Sequence, residues 1–144
     1  MLMNEQAYKE IEAIVGPENI TADPQICDTY SQFNFHRPDP EIWWQRPDAV
    51  VMPATTEEVS AFVKVCNKYQ IKYKAHSTGY GAHNGATSPD MVLVDLRRMN
   101  HIVEIDEKNM VAIIEPYAVG SAIQSECWKR GLNVCITTAG PQSS

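Results

Sequence analysis

A strand, a capped helix and a second strand follow one another in the first half of the chain, and this order constrains the fold most. Residues 49–52 form a short apolar run typical of a buried strand. Thr55 and Glu58 have the spacing of a capping box, in which each side chain bonds a free backbone N–H group at a helix start. Apolar residues then recur at helical spacing: Val59, Phe62, Val63 and Cys66. With a second apolar run at residues 71–75, the pattern predicts a helix over 56–69 inside a right-handed, parallel β-α-β unit.

The rest of the chain adds elements of both kinds. Apolar residues at helical spacing predict one helix near the N-terminus and another over residues 119–127, which Gly131 would end. Residues 91–95 form a further apolar strand, and residues 101–105 and 110–115 flank a turn typical of a hairpin. The order α-βαβ-βββ-α predicts an α+β fold, a mixed sheet with packed helices.

Charge and composition exclude several classes of function. Twelve basic and eighteen acidic residues give a formal net charge of −6, so we expect neither nucleic acid nor an anionic membrane as partner. No apolar run is long enough to predict a membrane span. The cysteines are scattered and form no CxxC pair: Cys27, Cys66, Cys127 and Cys135. Reduced thiols in a cytoplasmic protein, without a metal site, are therefore expected.

A glycine-rich polar segment follows the second predicted strand. Residues 76–90 contain Gly79, Gly81 and Gly85 and have no hydrophobic period. Glycine allows positive φ and close approach, so successive backbone N–H groups can converge on an anion such as a phosphate. The spacing GxGxxxG is neither the Rossmann fingerprint nor a Walker A loop. Taken alone, the segment leaves phosphate binding and a plain mobile loop both open.

Several motifs in order carry a resemblance to a known family. Residues 46–59 (RPDAVVMPATTEEV) run from a strand of the form PxxVVxP into a helix that begins Thr-x-Glu-Glu-Val, and the glycine-rich loop follows. Residues 92–100 (VLVDLRRMN), then Glu115-Pro116 and residues 130–132, complete the series. This order resembles the FAD-binding domain of the vanillyl-alcohol oxidase/p-cresol methylhydroxylase family. Within that family, the glycolate oxidase and D-lactate dehydrogenase flavoproteins are the subgroup that the chain most resembles.

The resemblance implies that the glycine-rich loop holds the pyrophosphate of FAD. Carried onto matching positions, it implies these cofactor contacts: Pro53, Lys74, His76, Ser77, Thr78, Gly79, Tyr80, Gly81, Asn84, Gly85, Gly140, Ser143 and Ser144. Some members attach the flavin covalently through a loop histidine. Thr78 occupies that position here, so noncovalent FAD is expected.

Two positions depart from the family pattern. Many members carry arginine where this chain has Lys74, which keeps the charge and changes the geometry of the anchor. Glycine often follows the Glu-Pro pair, but Tyr117 stands there in this chain, which puts a close backbone approach in doubt. The charged pairs Arg97-Arg98 and Lys129-Arg130 are interpreted as ordinary solvated pairs, and His101 as a surface residue.

The implied activity is that of a flavin-dependent dehydrogenase or oxidase acting on a small 2-hydroxy acid or a related alcohol. In the family the catalytic groups lie on a separate cap domain, so no catalytic residue is expected in this chain. Residues 1–46 are then an N-terminal helix and lead-in, and residues 47–144 the first lobe of an FAD-binding domain that is incomplete at its C-terminus.

Three interpretations of this incomplete lobe remain open. The chain is a piece of a full flavoenzyme, a natural split subunit completed by another chain, or an α+β domain unrelated to flavin. On the first two, its partners are the remainder of the flavoprotein or a completing subunit, together with a small-molecule substrate. Trp43, Trp44 and Tyr80 are candidates for an exposed apolar surface, through which the isolated chain would self-associate.

Overall fold

The computed structural model describes residues 3–31, 45–79, 85–88 and 90–134. Four helices are present in these residues: α1 (Glu5–Val15), α2 (Pro24–Thr29), α3 (Thr56–Tyr69) and α4 (Gly120–Trp128). The strands are β1 (Ile20–Thr21), β2 (Ala49–Val51), β3 (Lys72–His76), β4 (Met91–Asp95), β5 (Ile102–Asp106) and β6 (Val111–Ile114). The predicted α+β class and its mixed sheet are confirmed.

The main sheet has the strand order β1-β2-β4-β3. Strands β2, β4 and β3 run parallel, and β1 pairs antiparallel with β2 as an outer strand of the sheet. The predicted parallel β-α-β unit is thus present, with β4 inserted between its two strands. Because parallel strands run in one direction, the carboxyl ends of all three lie at the same end of the sheet, which we call its carboxyl edge.

Helix α3 begins and ends where the sequence predicts. The Thr55 hydroxyl accepts a hydrogen bond from the backbone N–H of Glu58 at 3.1 Å, which is one half of the capping box. The Glu58 carboxylate instead accepts from the backbone N–H of Ala54 at 2.7 Å, one residue earlier than in the standard motif. The buried face of α3 is Phe62, Val65 and Cys66. The predicted stripe therefore missed Val65.

The two faces of the sheet carry different cores. Side chains of β2 and β4 at alternating positions, with α1 and α3, form the larger cluster, which we call the α3 face. The opposite face, here the α2 face, packs Cys27 of α2, Val50 of β2, Leu93 of β4 and Ala86. Since in-register partners on parallel strands point the same way, Lys74, which pairs with Leu93, also lies on the α2 face.

Strands β5 and β6 form a separate hairpin beside α4, as predicted. Helix α4 ends at Trp128 with Lys129 as its C-cap, and Gly131, predicted as the residue that ends it, makes a left-handed turn at φ +71° two residues beyond the cap. Apolar side chains remain exposed here: Val103, Met110, Val111, Ile113, Ile114 and Trp128. An isolated two-stranded hairpin is marginally stable in water, and the described residues cover this hairpin less than they cover the two faces of the main sheet.

Three cysteines are buried and free: Cys27, Cys66 and Cys127. Cys135 lies outside the described part of the chain, and the expectation that the thiols are reduced stays a prediction. None of the helices in the described residues is long and apolar enough to cross a membrane. Within the same residues, no His, Cys, Asp and Glu side chains form a group of three or more that could hold a metal ion.

Candidate functional site

The candidate site lies where the three parallel strands end. Pro53 follows β2 after one residue, His76 is the last residue of β3, and Asp95 is the last residue of β4, in register with His76. Ligands of open sheets bind in the crevice outside the carboxyl ends of parallel strands. The topology therefore brings Pro53 and His76, two of the predicted cofactor contacts, to the same end of the sheet as Asp95.

Seven of the thirteen predicted contacts lie in the described residues. These are Pro53, Lys74, His76, Ser77, Thr78, Gly79 and Gly85. The other predicted contacts, Tyr80, Gly81, Asn84, Gly140, Ser143 and Ser144, lie outside them, as do Trp43 and Trp44. These six contacts stay predictions.

The first turn of the glycine-rich loop, His76–Gly79, is held by hydrogen bonds at its first two residues. The backbone N–H of Leu96, just past β4, donates to the carbonyl of His76 at 3.0 Å. Gly79 has a φ of +76°, and a Cβ atom there would lie 3.4 Å from Cε1 of His76. The chain thus turns back over the histidine ring in a conformation that glycine adopts most easily. The Ser77 hydroxyl donates to the carbonyl of Pro116 at 3.0 Å, which ties the loop to the segment after β6.

The other described contacts flank this turn. Pro53 is fully buried, and the preceding carbonyl, of Met52, accepts a hydrogen bond from Nη1 of Arg98 at 2.8 Å. Lys74 is half-buried on the α2 face, two residues before His76. Gly85 is buried where the loop returns, next to Ala86, whose carbonyl accepts from the backbone N–H of Gln45 at 2.9 Å.

A buried polar network at this edge was missed by the sequence analysis. The carboxylate of Asp95 is fully buried. It accepts hydrogen bonds from the Tyr30 hydroxyl at 2.7 Å, from Nε of Arg97 at 2.7 Å and from the backbone N–H of Arg97 at 3.0 Å. Burial, followed by the hydrogen bond to Asp95, raises the pKa of Tyr30, and the hydrogen bond to Asp95 raises the pKa of Arg97.

The interpretation of Arg97-Arg98 as an ordinary solvated pair is therefore wrong. Arg97 neutralises a buried carboxylate and Arg98 bonds the end of β2. The signal in the sequence was an aspartate closing a buried apolar strand, where an unpaired charge would be costly, with an arginine two residues later. His101 is exposed, as predicted, and pairs with Glu115 at 2.6 Å.

The geometry fits an anionic group held by backbone N–H groups. The only carboxylate that the described edge residues bury, Asp95, is already neutralised by Arg97, so a phosphate would not meet an uncompensated negative charge there. Gly79 presents backbone without a side chain beside the His76 ring. Backbone amides in such turns form anion-binding concavities without formal charge, which suits a chain with a net charge of −6.

Comparison with known proteins gives this geometry a family. A model described as the FAD binding domain matches residues 47–144. The flavoprotein subunit of 4-cresol dehydrogenase from Pseudomonas putida is 26% identical over 141 residues, covering 96% of this chain and 26% of its own length. The glycolate oxidase subunit GlcD of Bacillus subtilis is 27% identical over 116 residues, covering 80% of this chain and 24% of its own length.

A solved structure agrees with the sequence matches. The crystal structure of p-cresol methylhydroxylase with substrate bound superposes with a TM-score of 0.79 at 26% identity, over 96% of this chain and 27% of that chain. The chain thus spans about a quarter of the length of the relatives it matches. Those relatives are flavin-dependent oxidoreductases, and FAD is the cofactor of the domain they share. The matched residues and the shared fold show that the chain belongs to the FAD-binding domain family.

Proposed function

We propose that the described turn His76–Gly79, with Pro53 beside it, binds the pyrophosphate of FAD. One observation carries the proposal: Gly79, at φ +76°, folds back over the His76 ring at the carboxyl edge of three parallel strands. A side chain at that position would be strained and would contact the ring. The turn therefore offers backbone N–H groups, which suit a phosphate, and Lys74 supplies a nearby cationic group on the α2 face.

The proposed role of this chain is to bind and orient the cofactor. Bound FAD supplies hydride or electron transfer, and the protein provides position and environment. We assign no catalytic residue to the chain. We propose that the FAD is noncovalent, because Thr78 stands where covalent members carry histidine and the His76 ring is packed against Tyr30 at 5.3 Å.

We propose that the complete protein is an FAD-dependent dehydrogenase or oxidase of a small 2-hydroxy acid or a related alcohol. The names of glycolate oxidase and D-lactate dehydrogenase among the relatives support this substrate class. A cytoplasmic location is part of the proposal, since three buried thiols remain unpaired.

The proposal also divides the protein. Residues 47–144 are the first lobe of an FAD-binding domain, and further polypeptide, either continuous with it or a second chain, completes the flavin site. The exposed apolar residues of the β5–β6 hairpin support this division, because an exposed apolar patch on a protein surface marks a site of contact with other polypeptide. Substrate-binding groups are assigned to the completing part.

Two glycines offer a matched test of the binding site. Gly79 and Gly131 both have positive φ, +76° and +71°, but Gly131 lies at the end of α4 with nothing within 4 Å of its Cβ position. Substitution of either by alanine should cost about 1 kcal/mol of unfolding free energy through backbone strain. Only Gly79→Ala should weaken FAD binding, measured by titration of amide resonances.

The result expected is a several-fold loss of FAD affinity for Gly79→Ala and none for Gly131→Ala. Equal affinities for both variants would mean that the turn does not contact the cofactor. A wild-type chain that shows no response to millimolar FAD would contradict the proposed function itself.

A further inference from the structure

Tyr30 contacts the residues that end two of the parallel strands, Asp95 of β4 and His76 of β3. Its hydroxyl donates to Asp95 at 2.7 Å across 65 residues of sequence. Its ring meets the ring of His76 edge to face, with centroids 5.3 Å apart and planes at 71°. Tyr30 follows α2 directly, so this one side chain links α2 to the carboxyl ends of β4 and β3 together.

Asp95 is a fixed point for this side chain. Its carboxylate is fully buried and is held by the guanidinium and the backbone N–H of Arg97 as well as by Tyr30. The Tyr30 hydroxyl in turn accepts a hydrogen bond from Nη2 of Arg97 at 3.0 Å. Charge-assisted hydrogen bonds are the strong ones, and a buried carboxylate strongly resists losing them. Asp95 and Arg97 therefore hold the Tyr30 hydroxyl, while the Tyr30 ring packs against the cluster on the α2 face.

His76 transmits that position to the loop. Its carbonyl is held by Leu96 at 3.0 Å, and its ring is held by Tyr30. The ring then forms the surface over which Gly79 turns, since a Cβ atom at Gly79 would lie 3.4 Å from Cε1 of His76. Contacts thus link Asp95 to Tyr30 and Tyr30 to His76, and the His76 ring lies beside the backbone of Gly79.

We propose that Tyr30 is a positioning residue for the cofactor loop. It does not touch FAD. It acts by holding the His76 ring in the position beside which the chain turns at Gly79. Removing the Tyr30 hydroxyl breaks the hydrogen bond to Asp95, and removing the ring also removes its edge-to-face contact with His76. The effect on FAD affinity rests on the proposed function, whereas the effect on the order of residues 77–79 does not.

Tyr69 provides a matched control. Its hydroxyl also donates to a carboxylate, that of Glu10, at 2.8 Å. It ends α3 and precedes β3, so it lies at the opposite edge of the sheet from the loop. Tyr69→Phe removes a comparable hydrogen bond without touching the series of contacts that Tyr30 begins.

The experiment compares the chain with its Tyr30→Phe, Tyr30→Leu and Tyr69→Phe variants. Amide hydrogen exchange of residues 77–79 reports the order of the turn, and titration of the same resonances with FAD reports affinity. Tyr30→Phe should raise exchange at these amides and weaken FAD binding about fivefold, as the loss of one hydrogen bond implies. Tyr30→Leu should have a larger effect, and Tyr69→Phe should change neither quantity.

The outcomes separate this inference from the proposed function. Faster exchange in Tyr30→Phe, in a protein that does not bind FAD, would support the positioning role and contradict the cofactor. Unchanged exchange and unchanged FAD affinity in Tyr30→Phe would overturn the positioning role, as would equal changes in Tyr69→Phe. Should Tyr30→Leu fail to fold, the phenylalanine variant decides alone.

Discussion

The guanidinium group of Arg97, a residue whose side chain is half exposed, lies 2.6 Å from the fully buried carboxylate of Asp95. The pair closes β4 and stands between α2 and the candidate cofactor loop. A buried carboxylate is destabilising unless it is paired and hydrogen-bonded. The stability of this edge of the sheet therefore depends on Arg97 more than the exposure of its side chain suggests.

Arg97→Met should accordingly lower the free energy of unfolding by about 2 kcal/mol, because it leaves the Asp95 carboxylate with fewer donors. Arg130→Met is the control, since Arg130 pairs with Glu126 and Glu107 at 3.6 Å and donates to the Glu126 carbonyl at 3.1 Å, all at exposed positions, and it should cost less than about 0.5 kcal/mol. Urea denaturation measures both. The double variant Asp95→Asn, Arg97→Met should lose less than the sum of its parts. Equal losses for the two arginine variants would contradict the claim that the pairing of Arg97 with Asp95 stabilises this edge.

The sequence predicts those parts of the fold that depend on local signals. The capping residue Thr55 placed α3, and glycine at positions 79 and 131 marked two turns of positive φ. The contact of Tyr30 with Asp95 joins residues 65 apart, and no periodicity of either segment indicates it. Strand β1 has only two residues, Ile20–Thr21, which is too short for an alternating pattern to be recognised.

The candidate site, too, could be predicted from the sequence only in part. The identity of its cofactor came from motifs in order, which the matched domain confirms. The roles of Arg97 and Arg98 were misread because burial of their partners, Asp95 and the Met52 carbonyl, depends on the packing of the whole edge.

Cys66 gives the protein a sensitivity to alkaline pH. Burial raises the pKa of its thiol from 9.0 to about 12, so the folded state favours the neutral thiol. That contribution is fully present below pH 9 and is lost as the pH rises toward 12. Cys66→Ala should therefore show a shallower fall in stability between pH 9 and 11 than the wild type, measured by thermal unfolding at each pH. In the native protein at pH 8.5, iodoacetamide should not alkylate Cys66. Rapid alkylation under native conditions would mean that the thiol is not buried.

The exposed face of the β5–β6 hairpin should drive self-association of the isolated chain. Ile113 and Val111 are 51% and 52% exposed, beside Met110 at 70%, and contiguous apolar surface of this kind marks a contact site. Ile113→Thr should weaken the association roughly tenfold, because a symmetric contact loses the apolar area twice. Ile26→Thr is the control, since Ile26 is 46% exposed on α2, away from the hairpin. Sedimentation velocity decides the matter, and a wild-type chain that remains monomeric at high concentration would contradict the prediction.

The central claim is that this lobe holds FAD by the turn that follows β3, and that it does so weakly until further polypeptide buries the cofactor. Titration of the isotope-labelled chain with FAD tests it most directly. Chemical-shift changes should concentrate at the amides of Ser77, Thr78 and Gly79 and at Ala54 beside Pro53. The affinity should be no tighter than roughly micromolar, because unburied contacts must still offset the entropy of association. Shifts confined to the hairpin, or no response at millimolar FAD, would contradict the cofactor site. Tight, stoichiometric flavin in the purified chain would contradict the claim that the lobe is incomplete.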